Sequence, residues 1–116
     1  MANTFKVITK AGITTADVIY TVAGSTTTVI LGLIIGNTTS SSINATVTLG
    51  SDTGSRAGAN NEDNETVELI TSTPIPGNST LELLAGNKVV METTDTLSVT
   101  GSGGAVDVAL SVMEIT

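Results

Sequence analysis

The stretch Thr73–Thr100, TPIPGNSTLELLAGNKVVMETTDTLSVT, decides the fold class of this chain. Short apolar runs alternate there with polar residues, and Gly-Asn and Thr-Thr-Asp separate the runs, which is the pattern of strands joined by turns. The predicted strands are centred on Leu81–Leu83, Val89–Met91 and Leu97–Val99, with a β-turn at residues 85–87 between the first two. We predict that these three strands form a β-meander.

The same alternation recurs along most of the chain. Ile43–Leu49 and Val106–Val112 carry an apolar side chain at every second position, so one face of each strand is buried. Turn signals recur about every 8–12 residues, as in sandwiches, and no helical period is found. We predict an all-β fold, a single β-sandwich or jelly-roll-like domain of about eight short antiparallel strands, at residues 17–116. Residues 1–16 form an N-terminal arm or a first strand.

Two glycine-containing segments are predicted to be hairpin turns. Residues 23–25 would join a strand at Asp17–Val22 to a strand at Thr27–Ile35. Residues 101–104, Gly-Ser-Gly-Gly, would introduce the last strand.

The predicted strand at residues 29–35 is apolar on both faces. Unbroken alternation puts Ile30 and Ile34 on one face and the following residues on the other: Val29, Leu31, Leu33 and Ile35. The strand is therefore either central and covered twice, or buried in a subunit contact. Met113 and Ile115 break the phase of the last strand, which predicts a bulge, a twist or a second covered face there.

The composition excludes several classes of function. The chain has no cysteine and no histidine, so the thiolate nucleophile, the usual base near neutral pH and the commonest metal ligand are missing. We predict that the protein is not an enzyme and has no cofactor or metal site. A net charge of -7 with four basic residues disfavours binding to nucleic acid or to anionic membranes.

Acidic residues offer two candidate sites, and the sequence favours neither. A polar loop at residues 50–64 carries or adjoins four carboxylates without the spacing of a calcium-binding loop: Asp52, Glu62, Asp63 and Glu65. Glu82, Glu92 and Asp95 are predicted to face solvent or to lie in a turn, rather than to form a glycosidase pair. Asp95 should accept hydrogen bonds from nearby backbone amides. Tyr20 is predicted to be a core residue with its hydroxyl at the rim.

Three segments carry a family resemblance: VIYTVAG at Val18–Gly24, PIPGNSTLE at Pro74–Glu82 and VDVALSVMEIT at Val106–Thr116. Together they resemble a family of small all-β virion structural proteins of tailed phages, notably cyanophages, over nearly the whole chain. The first segment lacks the proline often found in that motif, and the second differs at Asn78 and Thr80. These motifs are structural, and they identify no active site.

The resemblance implies a non-enzymatic virion component, made in the cytoplasm of the host. The leading expectation is a capsid decoration, or cement, protein that binds the major capsid protein or another virion protein and stabilises the assembled head. The first alternative is a component of the neck, tail or a fibre. The second, of another class, is a carbohydrate-binding module for host attachment, for which Phe5 and Tyr20 are the only aromatic rings.

We also expect the chain to form a homo-oligomer, with a trimer favoured. Its apolar residues exceed what one small core needs, and unpartnered apolar surface usually marks a protein contact. The expected subunit or shell contacts are Phe5, Val7, Ile30, Ile34, Met113 and Ile115.

Overall fold

Nine β-strands form two antiparallel sheets in a computed structural model, which describes residues 2–51, 66–84 and 87–116. The strands are β1 (Asn3–Ile13), β2 (Asp17–Thr21), β3 (Thr27–Gly36), β4 (Ile43–Gly50), β5 (Thr66–Ile75), β6 (Thr80–Leu83), β7 (Val89–Met91), β8 (Thr96–Ser102) and β9 (Val106–Ile115). The described ranges contain no helix that is long and apolar enough to cross a membrane. The predicted all-β sandwich is confirmed.

The strand order is that of a jelly roll with one added strand. Sheet A has the order β1-β9-β3-β6, and sheet B has the order β2-β8-β4-β5. Strands from the two ends of the chain therefore lie side by side in each sheet, as in an eight-stranded jelly roll. The added strand, β7, pairs with residues 28–30 of β3, whereas β6 pairs with residues 33–36.

The predicted β-meander is wrong. β6 and β7 pair with different parts of β3 in sheet A, while β8 pairs with β2 and β4 in sheet B. The predicted hairpins at residues 23–25 and 101–104 are also wrong, because each segment connects strands of different sheets. Alternation identifies a strand, but packing between distant segments selects its partner. Residues 85–86 of the predicted β-turn lie outside the described residues.

The core lies between the two sheets and is built mainly from Val, Ile and Leu. Its described members include every second residue of β9 from Val106 to Val112, all no more than 4% exposed. Leu110 lies directly opposite Leu33, and both side chains are buried. The other buried apolar residues are Ile13, Val22, Ile30, Ile35, Ile43, Ala45, Val47, Ile75, Met91, Leu97 and Val99.

A bulge in β3 changes which of its side chains face the core. The register with β9 shifts between Ile30 and Gly32, so alternation restarts there. Ile30 consequently faces the core together with Leu33 and Ile35, whereas Ile34 faces outward. The assignment of Ile30 and Ile34 to one face is therefore wrong, since it assumed an unbroken strand.

β1 is an edge strand of sheet A, so the N-terminal segment is a strand rather than a free arm. It pairs with β9 from Asn3 to Ile13, with a register shift after Lys10. Gly12 takes a φ of 71° in this bulge, a conformation that favours glycine, and its N–H donates to Asp107 Oδ1 at 2.9 Å. Most side chains of β1 are exposed.

Asn37, which is 1% exposed, ties the two sheets together at one end of the sandwich. Its Oδ1 accepts from both the N–H and the hydroxyl of Thr39, at 2.9 and 2.7 Å. Its Nδ2 donates to three carbonyl oxygens, at 2.8, 2.9 and 3.3 Å, those of Ser41, Ile75 and Pro76. Because Asn37 follows β3 of sheet A and Ile75 ends β5 of sheet B, one side chain holds both sheets.

Candidate interaction surface

The outer face of sheet A, turned away from the core, carries a row of apolar residues across its width. Directly paired residues of antiparallel strands share a face, so the register identifies its members. Phe5, Met113, Val29 and Val90 form one row across β1, β9, β3 and β7. Phe5 and Val90, at the two ends of the row, are 71% and 57% exposed, and Met113 and Val29 between them are half-buried.

Neighbouring rows add apolar residues along the strands, interspersed with exposed polar residues such as Thr9 and Ser111. Val7, 64% exposed, lies on the same face of β1, and Ile34, 46% exposed, lies opposite Ala109. The two carboxylates on this face, Glu82 and Asp107, lie toward one end of it. We call this surface the apolar face and define it by Phe5, Val7, Val29, Ile34, Val90, Ala109, Met113 and Ile115.

The outer face of sheet B is polar by contrast. Its cross-strand rows pair hydroxyl-bearing residues, such as Thr46 with Thr100 and Thr48 with Ser98. Val18, 53% exposed on the edge strand β2, is an apolar exception. Hydroxyl groups at the surface remain hydrated at little cost, whereas exposed apolar side chains gain free energy when another surface covers them. The two sides of the sandwich therefore differ in their tendency to bind protein.

Five of the six predicted contact residues lie on the apolar face, namely Phe5, Val7, Ile34, Met113 and Ile115. The sixth, Ile30, is wrong as a contact residue because it is 0% exposed in the core. No register shift occurs in β9 around Met113, so its change of phase reflects a second apolar face rather than a bulge. Sequence reasoning missed Val29 and Val90; the consecutive valines at 89–90 were a signal that one of them faces outward.

A pocket of about 210 Å³ lies along β3, where the pairing of one edge of that strand passes from β7 to β6. Gly32 pairs with the exposed Ser111, so a side chain at position 32 would project from the outer face. A Cβ at Gly32 would meet no heavy atom within 4 Å. The pocket is lined by Leu31, Gly32, Leu33, Ile34, Glu82 and Leu83.

A polar cluster closes the sandwich at the edge where β1 and β2 lie. The Tyr20 hydroxyl donates to Glu114 Oε2 at 2.6 Å and lies 2.7 Å from Thr28 Oγ1. Lys6 Nζ is 2.8 Å from Glu114 Oε1. Tyr20 belongs to sheet B and the other three residues belong to sheet A, so the cluster links the sheets. Tyr20 is half-buried with its hydroxyl bound, close to its predicted place at the rim of the core.

The cluster shifts the pKa values of two of its groups in opposite directions. Burial, followed by the hydrogen bond to Glu114, raises the pKa of Tyr20 from 10.0 to about 12. The hydrogen bonds from Lys6 and Tyr20 lower the pKa of the Glu114 carboxyl. At neutral pH Tyr20 is thus a protonated donor and Glu114 an ionised acceptor. A general acid or base needs a pKa near the working pH. The pKa values of Tyr20 and Glu114 are instead shifted away from neutral pH, which suits both groups to holding the sheets together.

Acidification should remove the contribution of Glu114 to stability. Because folding lowers its pKa, the stabilisation is complete above its ordinary pKa and is lost as the pH falls through the lowered value. We expect Glu114→Gln to lower the free energy of unfolding by about 1–2 kcal/mol at pH 7 and by less at pH 3. Urea denaturation at pH 3, 5 and 7 measures both.

The matched control is Glu82→Gln, which removes one exposed carboxylate from β6. It should leave stability at pH 7 within about 0.5 kcal/mol of the original protein. An equal loss for Glu114→Gln at all three pH values would show that the ionised carboxylate is not what stabilises the cluster.

The other acidic candidates that the structure describes do not form a site. Asp95 accepts from the Glu92 N–H at 3.0 Å, which confirms its predicted turn role, but it is 2% exposed and does not face solvent. Glu82 faces outward on β6. The four carboxylates in or beside the loop at residues 50–64 lie outside the described residues. Within the described ranges, no three carboxylates converge as metal ligands.

Comparison of the chain with models of protein families, with curated proteins and with solved structures found no match in any of the three. The function is therefore inferred from the surfaces described above and from the sequence motifs.

Proposed function

We propose that this protein is a non-enzymatic structural component of a tailed-phage virion, specifically a capsid decoration protein. The observation that carries the proposal is the contrast between the two outer faces of the sandwich. The apolar face spans all four strand positions of sheet A, while sheet B presents hydroxyl groups to water. Such a module is built for an assembly in which sheet A is covered.

The sequence motifs indicate the kind of assembly to which the protein belongs. They resemble small virion proteins of tailed phages, and a jelly roll is an architecture that viral capsid proteins use. A decoration protein binds the assembled shell and not its free subunits, so it stabilises the shell by mass action. The chain needs no catalytic group for this role.

The carbohydrate-binding alternative is less well supported. Sugar recognition by stacking uses exposed aromatic rings, and Tyr20 is held at the junction of the sheets by its bonds to Glu114 and Thr28. Phe5 is then the one exposed ring of the chain, on a face without hydroxyl-binding neighbours in its row. The apolar face fits a protein surface better than a hydrated sugar.

Electron cryo-microscopy of the virion tests the proposal. We expect density for this sandwich in many copies spread over the head, and heads that lack the protein should release their DNA at a lower temperature. A few copies at the neck, tail or fibres would replace decoration by the alternative structural role. Absence of the chain from purified virions would contradict any structural role in the particle.

A further inference from the structure

We propose that a second copy of this chain covers the apolar face, and that Phe5 of that copy occupies the pocket at Gly32. This deepens the proposed function and rests on it for the premise that the chain works in an assembly. A second copy is the expected partner because the protruding Phe5 side chain and the pocket at Gly32 lie on the same face of the molecule.

The pocket has the size and lining for a phenyl ring. Its volume of about 210 Å³ exceeds the 150 Å³ or so of an apolar cavity that binds benzene. Leu31 and Ile34 supply apolar walls, and Glu82 borders the pocket on the β6 side. Phe5 is the most exposed of the large apolar side chains in the described ranges, at 71%. Aromatic residues buried in such pockets are typical of those that contribute most of the binding free energy of a protein interface.

Phe5 cannot fill the pocket of its own subunit. Gly32 lies two strands and two residues away in the register, which is roughly 10 Å across the sheet and 7 Å along it. Side chains stand nearly perpendicular to a sheet, so the ring projects away from the surface instead of across it. The ring and the pocket therefore meet only between copies. A two-fold pair of subunits with their apolar faces together would use each Phe5 and each pocket once.

The area of the face agrees with a stable contact. Three strands of about ten residues and a fourth position of seven, at about 4.8 Å between strands and about 3.4 Å per residue, give roughly 600 Å² for the whole outer face, at the lower end of what each partner buries in a standard interface of about 800 Å². Glu82, which borders the pocket, and Asp107 are not matched by a Lys or Arg in the rows of this face. Because each copy carries a net charge of -7, salt should strengthen the association or leave it unchanged.

Sedimentation of the purified full chain over a range of concentrations tests the inference. We expect an oligomer, and Phe5→Ala should raise its dissociation constant about tenfold or more. Gly32→Val should do the same by filling the pocket. Its Cβ has open space, and the φ of Gly32 lies outside the left-handed region, so the subunit should fold normally. Circular dichroism melts check that it does. Val18→Ala, on the outer face of sheet B, should leave association unchanged.

Three results would overturn the inference: a wild-type chain that stays monomeric, an oligomer that survives both substitutions, or an oligomer that dissociates as salt is added. A monomer whose Phe5→Ala variant fails to bind virions would assign the apolar face to another virion protein, and decoration would stand. An oligomer that responds as expected, from a chain absent from virions, would support the contact and contradict the proposed function.

Discussion

Leu110→Asp should unfold the subunit, with a loss of about 4 kcal/mol or more in the free energy of unfolding. Leu110 is 0% exposed, and it lies opposite Leu33 on β3 and Ile8 on β1. A carboxylate there is placed between two apolar side chains, and Lys6 and Lys10 of β1 already pair with Glu114 and Asp17. Leu33→Asp should have the same effect for the same reason. Circular dichroism and urea denaturation measure the loss.

Ser102→Asp is the control for adding a charge. Ser102 is exposed at the end of β8, opposite Asn44 on the outer face of sheet B. Its substitution should change the free energy of unfolding by no more than about 0.5 kcal/mol. A folded Leu110→Asp protein beside an unfolded Ser102→Asp protein would mean that the strands turn their other face to the core.

Asn37→Ala should cost about 3 kcal/mol, the largest effect expected from a polar residue. The substitution leaves the Ile75 carbonyl and its neighbours without the amide that satisfies them, and it removes the acceptor of the Thr39 N–H. Unpaired buried polar groups cost more than a hydrogen bond contributes on average. The link between the β3 and β5 ends is lost at the same time. Urea denaturation of the purified variant gives the value.

Two comparisons separate this link from a general effect of losing an asparagine. Asn44→Ala removes an exposed amide from β4 and should be nearly neutral. Asn37→Asp keeps the side-chain size but replaces the donating amide by a carboxylate facing carbonyl oxygens, so it should be at least as destabilising as Asn37→Ala. A loss below about 1 kcal/mol in Asn37→Ala would show that water replaces the amide.

The sequence by itself determined the strands, the fold class and much of the core. Ile43, Val47 and every second residue of β9 from Val106 to Val112 are buried as alternation predicted, because the side-chain period of a strand is a local property of the backbone. Apolar residues outside that pattern, such as Phe5 and Met113, pointed to a second apolar surface for the same reason. The jelly-roll-like architecture followed from many short strands and frequent turns.

Only the tertiary structure decided which strands are neighbours and how their faces combine. The chain changes sheet at residues 23–25 and 101–104, where local turn chemistry was equally compatible with a hairpin. The bulge after Ile30 puts that residue on the core face together with Leu33 and Ile35, because a one-residue shift in register reverses every side chain beyond it. The pocket at Gly32 and the bonds of Asn37 depend on segments far apart in sequence, so they arise only when the two sheets pack together.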